Sequence, residues 1–421
     1  MQLFTRPRRG VIHFIGIDWD YGALVQSGRA YWTWIAILGM FIVLGGAAWY
    51  IYFTHGGYVM AMRDGTPWGL WFTNYMYYVG LAAGGLVVYA SVHLFGAEQF
   101  RPLSRIAVLL AGVFVMMALL GIVTDMERPW RAVWMLITPN PTSPFVFTGS
   151  AANLYMIICF VDLWLLITGF GGEKLAYRMT LIALPAAIYL HTTTAFVLSM
   201  NKSRELWHTA MMVPIFLTSA TASGVSLLLI VAYIVQKVTH IRFKPSMFRS
   251  LSTLLSTVMI IDLFLLSVEL LSVFWPTSAQ PGHTMRMAEF LTGRFAWAFL
   301  PVLILGFGAF FLLSRRSTRH LPQVQITASA MYVVAVFMKR YSLMSMGFSY
   351  TPLSQKVPIY FPSAVEVFLA LGILAFGLLL ITAALKVLPM EVPEDEHGHG
   401  HAEEPARAFP ASETAAEVSH P

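Results

Sequence analysis

Apolar residues run along this chain in long unbroken stretches rather than alternating between two faces. A bilayer-crossing helix needs about 20 mostly apolar residues. A walk at that length gives ten runs, at approximately 30–53, 70–95, 105–124, 150–170, 177–200, 207–236, 250–274, 293–313, 323–347 and 359–387. The strands of an outer-membrane barrel would alternate at period two, and these runs do not. The pattern predicts an all-α integral membrane protein of about ten transmembrane helices. The run at 323–347 is the weakest, because Lys339 and Arg340 sit near its end. The first run is too long and too far from the N-terminus for a cleaved signal peptide. The chain thus divides into an N-terminal segment (1–29), a membrane domain (30–388) and a tail (389–421).

Composition supports the same class. Hydrophobic residues make up 57% and charged residues 11%, against about 25% charged in soluble domains. The single cysteine, Cys159, excludes a disulfide framework, a cysteine-ligated zinc site and a self-contained iron–sulfur cluster. The net charge of +6 conceals an asymmetry, because eight acids and one base, Arg407, lie in the tail. The tail also carries HGHGHAEE from His397, read as part of a solvated, disordered acidic segment. The basic excess of the body lies in short loops, where it sets topology rather than binding nucleic acid. One side of the membrane collects 17 Lys and Arg, the other 10. Basic loops stay inside, so both termini are expected in the cytoplasm, with the chain in the inner membrane of a bacterium or archaeon.

The outward loops are the more elaborate ones. Segment 125–149, DMERPWRAVWMLITPNPTSPFVFTG, is rich in Trp, Pro and paired charges, and 201–208 reads NKSRELWH. Loops presented by a rigid scaffold concentrate function. This side is the expected docking face, with Trp130, Arg131 and Trp134 as its contact residues. The X-Pro steps at Pro139 and Pro141 should hold the loop extended. The bland counterpart is an aromatic belt with interfacial arginines.

Ionisable groups inside the hydrocarbon are costly and usually face a cavity, ligand or partner. By position along the runs, His93 lies near the cytoplasmic end of the second. Asp162 and Asp262 fall mid-membrane, and His191, Glu269 and Glu366 fall in outer portions. Asn74, Asp125 and His208 lie near the outer surface. In the functional reading, His191, His208, Asn74 and Asp125 line an outer pocket that takes a quinone, since a histidine can donate a hydrogen bond and exchange a proton near neutral pH. His93, Asp162, Asp262, Glu269 and Glu366 then form a proton path. In the bland reading, each pairs with a hydroxyl on a neighbouring helix and pins the bundle. The first reading expects Asp262→Asn to spare stability while lowering turnover about tenfold. Histidine also ligates haem, but His93 and His191 lie at different depths, which does not support stacked bis-histidine haems. No metal site is expected.

Several motifs together resemble the NrfD/PsrC family, the quinone-interacting membrane subunits of polysulfide-reductase-like complexes. They are Trp68-Gly69, GLAAG at 80–84, Asp125 followed by ERPWR, PNPTSP at 139–144, His191, and Trp207-His208 ahead of Pro214. Ten runs rather than eight resemble the larger members found in alternative complex III, Dsr-type and Qrc-type complexes. The resemblance implies two four-helix bundles, about 70–236 and 207–347, with two extra helices. It implies a menaquinone or ubiquinone near the outer face and no haem or iron–sulfur cluster in this chain. It further implies a docked ferredoxin-like iron–sulfur subunit and a molybdopterin-type or multihaem cytochrome c partner. Carried over by motif, Asn74, Asp125, Arg128, Tyr155 and His191 become the quinone-site candidates. Two other readings stay open: a proton-coupled secondary transporter and a haem-bearing cytochrome b-type subunit.

Overall fold

The computed structural model describes residues 11–25, 27–204, 206–274, 289–349 and 359–390. The acidic tail from 391 onward, with its histidines, lies outside the described residues. Ten long helices form the body: α1 (Arg29–His55), α2 (Leu70–His93), α3 (Ser104–Asp125), α4 (Pro144–Thr168), α5 (Gly172–Ser199), α6 (Met212–Val238), α7 (Pro245–Phe274), α8 (Ala296–Ser314), α9 (Pro322–Ser349) and α10 (Ala364–Val387). The largest shift from the apolar runs is at α4, which begins at Pro144, six residues before its run. Proline is favoured in the first turn because its missing N–H has no partner there anyway.

Among the described residues, nine helices are long and apolar enough to cross a membrane. The exception is α9, at 28 residues long enough but too polar. Its polar side chains are not turned to lipid: Gln325, Ser329, Lys339, Arg340, Ser342 and Ser345 are all buried. Lys339 and Arg340 therefore belong to the protein interior rather than to an outer loop, and they drop out of the charge count for that side.

Helices α2 to α5 close one four-helix bundle, and α6 to α9 close a second. The division falls between Ser199 and Met212, so α6 belongs wholly to the second bundle. The bundles meet where α2 packs against α6 and α9, and α5 against α6. Helices α1 and α10 pair with each other, and α10 leans on α3 and α2. Burial marks α2 as the axial helix: 83% of its apolar window is buried, against 17% for α1.

Small residues set these approaches. A Cβ on Gly84 of α2 would stand 2.1 Å from the carbonyl carbon of Gly224 on α6, and one on Gly224 would stand 2.2 Å from the Gly84 nitrogen. The two backbones touch here, and nothing larger than glycine fits either side. Gly45 of α1 and Gly372 of α10 repeat the arrangement at 2.7 Å.

Ahead of α1, part of the N-terminal segment forms an antiparallel hairpin, β1 (Val11–Phe14) with β2 (Ile17–Asp20). Its two-residue turn puts Ile15 at φ 53° and Gly16 at φ 73°. Positive φ at both central residues is the backbone twist that tight hairpins require. Trp164 of α4 fixes the turn by donating from Nε1 to the Ile15 carbonyl at 2.9 Å.

Candidate functional site

Between α2, α9 and α10 lies a cavity of about 580 Å³, within the ~300–1,000 Å³ range of small-molecule pockets. Its walls are mostly apolar and aromatic, including Phe114, Trp297, Phe337 and Phe361. Besides the hydroxyl-bearing Tyr77, Tyr78 and Tyr341, its polar lining residue is Asn74, in the second turn of α2, buried at 7% exposure. Among the described residues its amide makes no hydrogen bond, so a donor and an acceptor remain available at one end of an apolar chamber. An apolar pocket with few polar handles is the usual form of a site for a lipophilic ring.

Behind this chamber a hydrogen-bonded post holds the loop before α10. Tyr341 donates to the Tyr360 carbonyl at 2.8 Å. Tyr360 donates to Glu366 Oε1 at 2.6 Å and accepts from the Leu70 amide at 2.8 Å. Burial and the adjacent Glu366 carboxylate push the Tyr360 hydroxyl well above the ordinary phenol range, so it stays a donor. Glu366 Oε2 accepts from the amides of Ala61 (3.1 Å) and Ser363 (2.6 Å), while Ser363 Oγ accepts from the Glu366 amide at 3.3 Å. This is a capping box that starts α10. Every oxygen of Glu366 is engaged, and its geometry is that of a structural cap. The signal was present in the sequence, as Ser363-x-x-Glu366 ahead of an apolar run.

The expected quinone residues do not converge on one pocket. Asn74 faces the large cavity, but His191 lies behind α2, inside the first bundle. Its Nδ1 sits 2.7 Å from the Ala187 carbonyl and its Nε2 3.1 Å from the Val79 carbonyl. Both partners can only accept, and a neutral imidazole carries a single N–H, so the neutral ring donates to one of them at a time. Asp125 closes α3 with Oδ1 buried and without a hydrogen-bond partner among the described residues, while its carbonyl accepts from Tyr52 at 2.5 Å. Arg128 is exposed and opens the next turn. His208 is exposed, with Nδ1 2.7 Å from the Ser199 carbonyl. Of the Trp-His pair, Trp207 is the inward member. Its ring stacks on Trp68 at 5.8 Å and its Nε1 donates to the Leu343 carbonyl at 2.8 Å.

Tyr155 is fully buried at mid-helix and belongs to a different feature. One stripe of α4 carries Thr148, Tyr155, Cys159 and Asp162 into the first bundle, all buried. At its Pro144 end Thr148 bonds Tyr75 (2.9 Å) and Thr194 (3.0 Å). At the other end Asp162 lies near Tyr89, whose ring meets His93 edge-on at 4.6 Å. Among the described residues, Tyr155 Oη, Asp162 Oδ1 and His93 Nε2 are buried without a hydrogen-bond partner. Because α4 starts at Pro144, Asp162 lies about 9 Å from its far end at 1.5 Å per residue, not at mid-membrane.

The second bundle holds a buried ionic cluster. Asp262 Oδ1 accepts from Thr218 (3.0 Å) and Lys339 (2.9 Å), and Oδ2 from Tyr332 (2.6 Å) and Lys339 (3.0 Å). Arg340 lies over the Phe216 ring at 3.6 Å and donates to Ser219 at 2.6 Å. Glu269, which accepts from Thr209 at 3.2 Å, borders a small cavity of about 90 Å³ that Lys339 and Arg340 also line. Lys339 as the partner of Asp262 was not read from sequence, because its position near the end of a run suggested the membrane surface.

On the loop after α3, Trp130 and Trp134 are 59% and 58% exposed and Ile137 62%. The loop is not extended throughout. Pro129–Val133 is a 3₁₀ turn and Trp134–Ile137 one turn of α-helix, so the apolar side chains stand on a short helical ridge. Pro139 and Pro141 come only after it, where Asn140 Oδ1 accepts from the Thr142 amide at 3.0 Å and turns the chain toward α4. Among the described residues no three His, Cys, Asp or Glu side chains gather as a metal site.

Comparison with known proteins places the chain. The family described as polysulphide reductase, NrfD, matches residues 58–352. The chain belongs to the NrfD family. The matched span covers α2 to α9, the two bundles, and leaves out α1 and α10. A protein of Halobacterium salinarum described as a dimethyl sulfoxide reductase membrane subunit is 26% identical over 85% of this chain and 91% of its own length. The Hdr-like menaquinol oxidoreductase integral membrane subunit of Archaeoglobus fulgidus is 26% identical over 86% and 94%. One of the selenate reductase subunits of Mesobacillus selenatarsenatis is 23% identical over 60% and 67%.

Proposed function

We propose that this NrfD-family chain is the quinone-interacting membrane anchor of an oxidoreductase complex, passing electrons between the membrane quinone pool and an iron–sulfur subunit docked on the face bearing residues 126–143. The observation that carries the reading is the unpaired Asn74 amide at the end of the 580 Å³ apolar chamber. Interconversion of quinone and quinol takes two electrons and two protons, and this chain's part is to hold the ring and manage protons. Asn74 donates to a ring carbonyl, and the aromatic walls exclude water and take the prenyl tail. Relatives named as subunits of dimethyl sulfoxide, selenate and menaquinol enzymes support a catalytic partner. A molybdopterin-type or multihaem subunit behind the iron–sulfur protein fits that setting.

The α4 stripe supplies the proton route. His93, Tyr89, Asp162 and Tyr155 lead from the face that holds the chain ends to the Tyr75–Thr148–Thr194 hydroxyls. Tyr75 is the immediate neighbour of Asn74, so the route ends beside the chamber. Asp262, with both oxygens taken by the Lys339 cluster, and Glu366, locked in its cap, stand outside this route. The cytoplasmic membrane, with both termini inside, is the matching placement.

Two measurements test the reading. Extraction in mild detergent should bring soluble redox subunits with the chain; recovery of the chain alone would favour a transporter. Binding of a short-chain naphthoquinone analogue should weaken about tenfold in Asn74→Leu, the scale of one lost hydrogen bond. Unchanged affinity would remove the chamber as the quinone site.

A further inference from the structure

The face of the bundle that carries the chain ends holds a basic recess the quinone reading does not use. A cavity of about 360 Å³ is lined by Arg249 and Thr253 of α7 and by Arg316, Arg319 and His320 of the α8–α9 connection. The connection is tightly wound: the amides of Thr318 and Arg319 both bond the Arg315 carbonyl, and Gln325 Nε2 donates to the Arg319 carbonyl at 2.9 Å. Arg316 and Arg319, three residues apart, are thereby held facing Arg249. Among the described residues no carboxylate lines the recess, and none of the three guanidinium groups has a hydrogen bond or ion pair. Other arginines of this face do: Arg101 pairs with Glu98 and Glu173, and Arg105 donates to the Leu166 and Pro389 carbonyls. Three uncompensated charges around one concavity call for an anion.

What lies beside the recess names the anion's source. The α7 stripe that begins with Arg249 and Thr253 continues through Thr257 to Ile260 and Phe264, which are 45% and 63% exposed. On α8, Phe311 and Ile304 are 62% and 64% exposed. A polar mouth thus opens directly onto lipid-facing apolar surface. Basic pockets between membrane helices on the cytoplasmic side hold anionic headgroups. We infer that this recess binds the headgroup of an anionic diacyl phospholipid, its phosphate held by Arg249, Arg316 and Arg319 and its acyl chains lying along α7.

The test uses the full chain in nanodiscs or detergent and reads lipid retention by native mass spectrometry and by thermal shift. Phosphatidylglycerol should be retained and should raise the midpoint, while phosphatidylcholine and inorganic phosphate should do neither. Arg249→Gln/Arg316→Gln/Arg319→Gln should lower phosphatidylglycerol affinity about a hundredfold, roughly fivefold for each base removed near the surface. A control with Lys174→Gln/Arg178→Gln/Lys244→Gln, altering other bases of the same face, should lower it several-fold less. An equal loss in the control would reduce the effect to general charge and overturn the site, as would stabilisation by inorganic phosphate alone. Removing residues 391–421 should leave the affinity unchanged. A rise as large as the triple variant's fall would make the acidic tail the occupant and reject the lipid.

Discussion

Asp262 shows how a neighbour decides what a buried carboxylate does. Taken from the sequence alone, it could carry protons, and its asparagine variant should then stay stable while turnover falls. With Lys339 bonded to both oxygens, the same substitution strands a buried ammonium. Breaking a buried pair from one side costs about 3–5 kcal/mol, so Asp262→Asn should lower the unfolding midpoint in detergent by many degrees. Asp262→Asn combined with Lys339→Met, which removes both charges, should recover most of it. Equal stability of the single variant and the parent would show that the pair holds nothing together. The contrasting residue is Asp162, whose Oδ1 has no partner among the described residues to lose. Asp162→Asn should keep the unfolding free energy within about 1 kcal/mol of the parent, the net scale of one hydrogen bond, and slow quinone turnover about tenfold or more, the scale of a lost proton-transfer group. Full turnover in proteoliposomes would take the α4 stripe out of proton transfer. Depth along its helix could be read from the sequence for Asp262, but not for Asp162, whose helix begins six residues before its apolar run. Which helix each one faces could not, because one apolar run carries no mark of its neighbour.

At the scale of the element, the ridge after α3 is the clearest case. Its composition of arginine and tryptophan was legible, as the usual make-up of an interface hot spot. Its helical shape was not, because the X-Pro steps at Pro139 and Pro141 act only beyond Ile137, while Pro129 opens the 3₁₀ turn. Replacing Arg131 and Trp134 with alanine should release the soluble subunits on size-exclusion chromatography and leave the membrane chain inserted; a complex that stays intact would reject the docking role. Helix α9 teaches the complementary lesson. A window of mean hydropathy penalises it for Gln325, Lys339 and Arg340, yet these are the side chains that bind it to α6 and α7. A helix surrounded by protein has no need of an apolar surface all round, so composition understates its place in the membrane.

For the molecule as a whole, the two bundles are joined by contact between backbones. Gly84→Leu would drive a side chain into the Gly224 carbonyl, and no rotamer escapes a clash that begins at Cβ. That variant should fail to yield a monodisperse protein, whereas Gly80→Ala, facing Ala220 at 3.8 Å, should be tolerated. A Gly84→Leu protein with the parent's unfolding midpoint would contradict the packing. The family, the helical class and nearly every helix position were legible, since each rests on runs within a single stretch of chain. The chamber was not, because its lining residues on α2 stand more than 250 residues from those on α9 and α10.

That last helix has a practical consequence. The family match ends at residue 352, yet Phe361, Val367, Leu371 and Leu374 of the stretch beyond it form one side of the chamber. A relative built from the two bundles alone would leave that side open to the bilayer. Inhibitor sensitivity should therefore fail to transfer between eight-helix and ten-helix members. A compound selected to press against Phe361 and Leu371 would distinguish them, even where every residue of the shared bundles is the same.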